Sequence, residues 1–363
     1  MSVEGGSAAG PPVADVTAGP DGPLSLGTGG SGQASGASTV NRLRRRFPLI
    51  ALVVQRLVLS IGLLVAVSLL IFVGVEALPG DFAETYLGQS ATPQAVENIR
   101  KDLGLDQPAV TRYVKWLGGA LQGDFGQSWA SRNSVSEQIG RRLGNTLFLA
   151  LWAAVISVPL AVGLGMVAVH YRNRFADRAI NVVSLAAISL PEFFLGYLLI
   201  LVFAINWGWV TFPSTVYDGM GLGQRLEAIV LPCATLVMVV LAHMMRMTRA
   251  AILNVMSSAY IETAELKGLD AFRVIARHAA PNAVAPIINV IALNLAYLVV
   301  GVVVVEVVFV YPGMGQYMVD AVTVRDMPVV QACGLIFAAV YIGLNMAADV
   351  LAILANPRLR HPR

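Results

Sequence analysis

Six runs of about twenty mostly apolar residues constrain this chain more than any motif in it. They cover roughly 57–75, 146–169, 180–204, 226–245, 285–308 and 329–354. About 20 such residues are what a helix needs to cross the hydrocarbon layer. The chain is therefore expected to be an all-α membrane protein with six transmembrane helices. Composition agrees: 56% of residues are hydrophobic and 13% charged, where a soluble domain carries about 25% charged. Pro159, Pro191 and Pro232 fall inside these runs. Membrane helices tolerate prolines where neighbours satisfy the freed backbone groups.

Orientation is read from arginine, because Lys101, Lys115 and Lys267 are the only lysines. Arg42, Arg44, Arg45 and Arg46 precede the first run, and Arg56 marks its edge. Arg172, Arg174 and Arg178 lie between runs two and three. Arg246, Arg249, Lys267, Arg273 and Arg277 lie between four and five, and Arg358, Arg360 and Arg363 close the chain. Basic short loops stay in the cytoplasm, so both termini are expected there, in a multi-pass protein. Residues 1–46 are Gly/Ser-rich, end in that basic run and are expected to be a disordered cytoplasmic tail. Residues 47–76 then form the first span, 143–356 the core with spans two to six, and 357–363 a cytoplasmic C-terminus.

The long connection at 77–142 is expected outside, since long loops translocate largely regardless of charge. It reads as partly helical. Thr92 before Pro93 is a helix start, Gly104 a stop, 108–121 a second amphipathic run, and "GDFGQS" (123–128) a turn. A folded outer segment of this kind suits docking of an external protein.

The stretch "YIETAELKGLDAFRVIARHAAPN" (260–282) interrupts the apolar second half. Ser257 and Ser258 are candidate N-caps and Glu262 falls in the first turn. Lys267 lies in the last turn, and Gly268 can take the left-handed conformation that ends a helix. Asp270 then caps a second short helix, which Pro281 is expected to stop. Two capped helices at a glycine corner make a rigid knob at 258–282.

Glu262-Thr263-Ala264, then Gly268, then Pro281 resembles the EAA loop of the membrane subunits of bacterial binding-protein-dependent ABC importers. His278 and Ala280 stand where the full pattern is apolar, but "RHAAPNAVAP" is similar to the dipeptide/oligopeptide/nickel branch. So are "LPGDF", "DLGLDQP", "GDFGQS", "SLPEFFLG", "VVVVEVVFVYPGMG" and "RDMPVVQA", in that order. The resemblance implies a permease subunit of the bacterial inner membrane, importing peptides or similar small solutes. It implies as partners a second, distinct permease, two ATPase subunits and an extracytoplasmic solute-binding protein, with no nucleic acid. Glu262, Thr263, Ala264, Lys267, Gly268 and Asp270 become the residues coupled to the ATPases. ATP and Mg belong to those partners, and this chain is expected to bind no cofactor. Pro312, Gly313 and Gly315 become an external loop turn.

An enzyme is a poor reading. None of the three lysines follows a glycine, so no G-x-x-x-x-G-K-[ST] loop exists, and neither HExxH nor GxSxG occurs. His170, His243, His278 and His361 are scattered, and Cys233 and Cys333 sit in apolar runs without metal-ligand spacing. No catalytic or metal-binding residues are expected. The alternative is an ion-coupled secondary transporter, which places ionisable groups near the bilayer midplane. Glu192, between Pro191 and Phe193 in run three, is the one such carboxylate, a candidate pathway group for a cationic part of the substrate. Glu306 and Asp349 lie nearer the ends of runs five and six. One deep carboxylate and no visible inverted repeat argue against ion coupling.

Overall fold

The computed structural model describes residues 48–77 and 82–355, with side chains at 54–77 and 82–351. The tail at 1–46 with its arginines, residues 78–81 of "LPGDF", and Arg358, Arg360 and Arg363 lie outside the described residues.

Helix α1 (Pro48–Glu76) begins well before the apolar run expected at 57–75. Arg56 therefore lies within the helix, not at its edge. Its guanidinium is 3.1 Å from the Asp349 carboxylate, so the two sequence-distant charges answer each other along the spans. Three short helices follow: α2 (Phe82–Leu87), α3 (Pro93–Asp102) and α4 (Ala109–Ala120). Thr92 Oγ1 accepts from Ala95 N at 3.3 Å, and Gly104 has φ +65°. The expected start and stop of α3 are both present.

Helix α5 (Val135–His170) starts earlier than the 143 boundary read from hydropathy. Its 36 residues give a length of about 54 Å, so its polar first turns stand clear of a hydrocarbon layer of about 30 Å. The third run is not one helix. Helix α6 (Phe175–Ser189) and helix α7 (Glu192–Leu199) meet at a bend of 101°. Pro191 drives the break: the residue before a proline is pushed out of the helical region, and Leu190 is extended at ψ 133°. A π-turn at Ile200–Asn206 continues α7.

Helix α8 (Leu222–Ala228) precedes the fourth span, α9 (Val230–Met256), which begins and ends later than 226–245. Then come α10 (Ala259–Leu266), α11 (Ala271–Val274), a π-turn at Ile275–Ala279 and α12 (Ala280–Asn282). The fifth span is α13 (Val284–Phe309), followed by α14 (Met314–Val324) and the sixth, α15 (Met327–Ala355). Among the described residues five helices are long and apolar enough to cross a membrane, six if α6 and α7 form one broken span.

Helix α9 packs along both α5 and α13, and α15 packs on α13 and α1. Between spans the hydrophobic effect is weak, because lipid tails are as apolar as leucine, and close approach at small residues carries the packing. Gly165 shows this: a Cβ there would lie 3.0 Å from Thr248 Cγ2 and 3.4 Å from the Arg249 backbone nitrogen. Polar anchoring adds to it. Arg249 grips Asp177 with Nε and Nη2 at 2.9 and 2.8 Å, and Asp177 also accepts from Asn173 N and Asn181 Nδ2. This pair fixes the start of α6 against α9.

Candidate functional site

The 258–282 element is a knob with an apolar underside. Ile261, Ala264, Val274, Ile275 and Ala279 are buried together with Ile252 of α9 and Ile287 of α13. The opposite face carries Glu262, Thr263, Lys267, Gly268 and Asp270, all exposed. Of the six residues singled out from sequence, Ala264 alone points inward. It seats the knob, while the other five lie on its open face.

Local chemistry sets the corner. Gly268 has φ +77°, a conformation that glycine reaches without penalty and branched residues do not. The Asp270 carboxylate accepts from Phe272 N and Arg273 N at 3.1 and 3.4 Å, capping α11 as expected. Three details differ from the sequence reading. Ser258 occupies the N-cap position of α10 but its hydroxyl donates back to Val255 O at 2.5 Å, and Ser257 donates to Asn254 O, so neither caps by its side chain. Lys267 follows the last helical turn as the C-cap. Pro281 does not stop the second helix. The chain widens into the π-turn before it, and Asn282 Nδ2 donates to His278 O at 2.7 Å where the regular ladder is interrupted. The path then runs almost unbroken into α13. Leu266, 83% exposed, and Phe272, 51% exposed, stand on the open face. Sequence reasoning passed over them, although large apolar residues inside a charged stretch were the available signal.

The break between α6 and α7 places Pro191 and Phe193 on the exposed side and leaves Glu192 half-buried. Glu192 is the first residue of α7 and lies against α13. A Cβ on Gly301 would be 2.8 Å from Glu192 Oε1, so glycine there is what admits the carboxylate. Oε1 has no hydrogen-bond partner among the described residues. Phe193, Phe194 and Tyr197 of α7 are exposed, as is Tyr297 of α13.

At the other end of the bundle the residues expected as a loop turn lie at a helix start: Gly313 is the N-cap of α14 and Gly315 lies within that helix. Glu306 accepts from Thr146 Oγ1 at 2.6 Å and from the Gly315 and Gln316 backbone nitrogens at 2.6 and 3.2 Å. Thr146 Oγ1 in turn accepts from Met314 N at 2.8 Å. The carboxylate thus caps α14 and ties it to α5. Gly313 and Gly315 are present for closeness, since a side chain at either would run into that carboxylate. Pro312 offers its carbonyl to Asn145 Nδ2 at 3.0 Å. Asp326 similarly accepts from Ser128 Oγ, Trp129 N and Ala130 N, which joins the "GDFGQS" turn to the start of α15. Among the described residues no group of three or more His, Cys, Asp or Glu is placed to hold a metal ion.

Long apolar helices that carry one rigid polar knob are the architecture of a membrane-embedded protein. Residues 140–361 match the family described as binding-protein-dependent transport system inner membrane component, and residues 49–150 match its N-terminal companion. The chain belongs to this family, and it is a permease subunit of an ABC importer. It is 38% identical over 309 residues to the glutathione transport system permease protein GsiC of Escherichia coli (strain K12), covering 85% of this chain and 98% of that one. It is 35% identical over 314 residues to a protein named as a peptide transport system permease from Brucella abortus (strain 2308), covering 86% and 99%. A solved structure of the MetNI methionine ABC transporter in inward-facing form aligns with a TM-score of 0.43 at 18% identity, covering 61% of this chain and 96% of that one.

Proposed function

We propose that the 258–282 knob is the seat of a separate ATPase subunit, and that this chain imports peptides or closely similar solutes. The carrying observation is the knob's division into a locked underside and an open face. Ile261, Ala264, Val274 and Ile275 fix it to α9 and α13, so a push on Glu262, Lys267 or Asp270 moves the spans and is not dissipated in a loose loop. Exposed Leu266 and Phe272 supply the apolar contact such a partner requires. Shifting a two-state pathway from 1:99 to 99:1 takes about 5.5 kcal/mol, which ATP binding at the partners supplies. Both termini and the knob then face the cytoplasm, and 77–134 faces outward to receive the binding protein. A second, distinct permease completes the pathway, with Pro191, Glu192 and Phe193 on its wall.

The peptide class is supported by the relatives named above for glutathione and peptide transport, each covering most of this chain. The test is reconstitution of this chain with its co-expressed permease, ATPases and binding protein in vesicles. ATP-dependent uptake of a peptide eluted from the binding protein is the expected result. Uptake driven by an ion gradient without ATP would contradict the reading.

A further inference from the structure

Helix α9 has two exposed faces of opposite character. One carries Met238 over an apolar recess lined by Trp152, Ile156, Val230, Cys233 and Val237. That side suits lipid tails. The other carries His243, Arg246, Met247, Ala250 and Asn254, all exposed. Their spacing of three and four residues puts them on one side of the helix. Met245, Thr248 and Ile252 are buried on the side opposite.

Depth and charge separate the polar face from an ordinary lipid surface. The 27 residues of α9 span about 40 Å. Centred on a hydrocarbon layer of about 30 Å, the helix holds His243 near mid-layer. Arg246 lies about 4.5 Å nearer the knob. Ionisable residues at such depth almost always face the bundle interior or a water-filled cavity, since lipid tails offer them no partner. Arg249 is spent on Asp177. Arg246 has no ion-pair partner among the described residues, and charged residues are depleted from the core of a protein interface. Exposure along this face also ends at mid-layer. Pro232 and Leu236 continue it away from the knob, and both are buried. The face is open from His243 to the knob end and closed beyond.

We propose that this half of α9 lines the passage that the cargo takes, and that Arg246, with His243 one turn away, receives the carboxylate of a peptide. A guanidinium matches a carboxylate with two parallel N–H donors, and the imidazole adds a further polar contact at the closed end. Assigning the carboxylate to a peptide rests on the import reading above. The water-lined face does not.

The test has two arms, both on the reconstituted importer. In the first, a single cysteine replaces Met247 or Met238 on a background lacking Cys233 and Cys333. A charged, impermeant thiol reagent is supplied to both sides of the vesicles. The two methionines are similarly exposed, 46% and 39%, so their surroundings decide the outcome. Only the thiolate reacts, and it forms in water and not among lipid tails, so Met247→Cys is expected to label about tenfold faster than Met238→Cys. Equal rates, or no labelling of either, overturn the proposal and assign the polar face to lipid or to the second permease. In the second arm, uptake of a peptide eluted from the binding protein is expected to fall about tenfold in Arg246→Gln and to stay within about threefold of normal in Arg246→Lys. The ATPases should be retained in both. Normal uptake in Arg246→Gln, an equal loss in Arg246→Lys, or detachment of the ATPases overturns the carboxylate site. ATP-independent uptake by the unaltered chain would instead sink the import reading and leave the labelling contrast standing.

Discussion

Ser128 donates a 2.5 Å hydrogen bond to Asp326, a residue 198 positions further along the chain. The same carboxylate accepts from Trp129 N and Ala130 N, so one side chain satisfies three donors and holds the 128–130 stretch at the start of α15. Asp326 is 2% exposed, which makes the arrangement nearly free of solvent screening.

Removing that carboxylate leaves the three donors unpaired. Each orphaned buried group costs about 1–3 kcal/mol, whereas loss of the Ser128 hydroxyl removes one bond of about 1.5–3 kcal/mol to a charged group and the acceptor of the part-buried Ser131 N and Oγ. Asp326→Ala is expected to lower the thermal midpoint of the solubilised importer well below that of Ser128→Ala. Equal midpoints for the two variants would show that Asp326 acts only through Ser128.

Gly313 and Gly315 are constrained by the Glu306 carboxylate and not by a turn conformation. Alanine at either position overpacks a buried polar centre, for which about 1–3 kcal/mol is typical. Thermal unfolding of Gly315→Ala should show that loss, and Gly315→Ala/Glu306→Gln should not recover it, because the carboxamide is as large as the carboxylate. Wild-type stability in Gly315→Ala would contradict the contact with Val303 Cα and Glu306.

Five of the six spans were legible because lipid imposes a length rule on apolar runs. Gly268 and Asp270 were legible for the same kind of reason: a left-handed corner and a cap are decided within a few residues. Glu306, Asp326 and Asp177 were not legible as anchors. Their partners Thr146, Ser128 and Arg249 lie 160, 198 and 72 positions away, and nothing local marks them. The break at Pro191 was visible as a proline, but its 101° bend is set by how α7 packs on α13. Pro281 misled for the converse reason, since a π-turn absorbs the ladder bond that the proline removes.

The Glu192 carboxylate, with Oε1 unpartnered beside Gly301, is expected to act on cationic cargo. Glu192→Gln should slow uptake of a lysine-containing peptide by about tenfold, equivalent to 1.4 kcal/mol, while a neutral peptide is carried as before. Assembly and basal ATP hydrolysis should be unchanged. Equal rates for both peptides in both proteins would make the carboxylate purely structural.

Orientation follows from the knob reading. Single cysteines introduced on a background lacking Cys233 and Cys333 should label differently from the two sides. Position 97 on α3 is expected to react with an impermeant reagent once the outer barrier is opened, and position 176 only after the inner membrane is breached. The reverse pattern would invert the topology and remove the ATPase from the knob.

The coupling role of the knob rests on its corner. A Cβ at Gly268 meets nothing within 4 Å, so a substitution there acts through φ alone and not through a clash. A branched residue held left-handed costs about 1–2 kcal/mol, while asparagine tolerates that region. The decisive measurement is ATP-driven uptake and binding-protein-stimulated ATP hydrolysis by the reconstituted importer carrying Gly268→Val or Gly268→Asn. The account predicts an inserted permease with little uptake and weak stimulation for valine, and near-normal values for asparagine. Normal uptake and ATPase retention in Gly268→Val would contradict it.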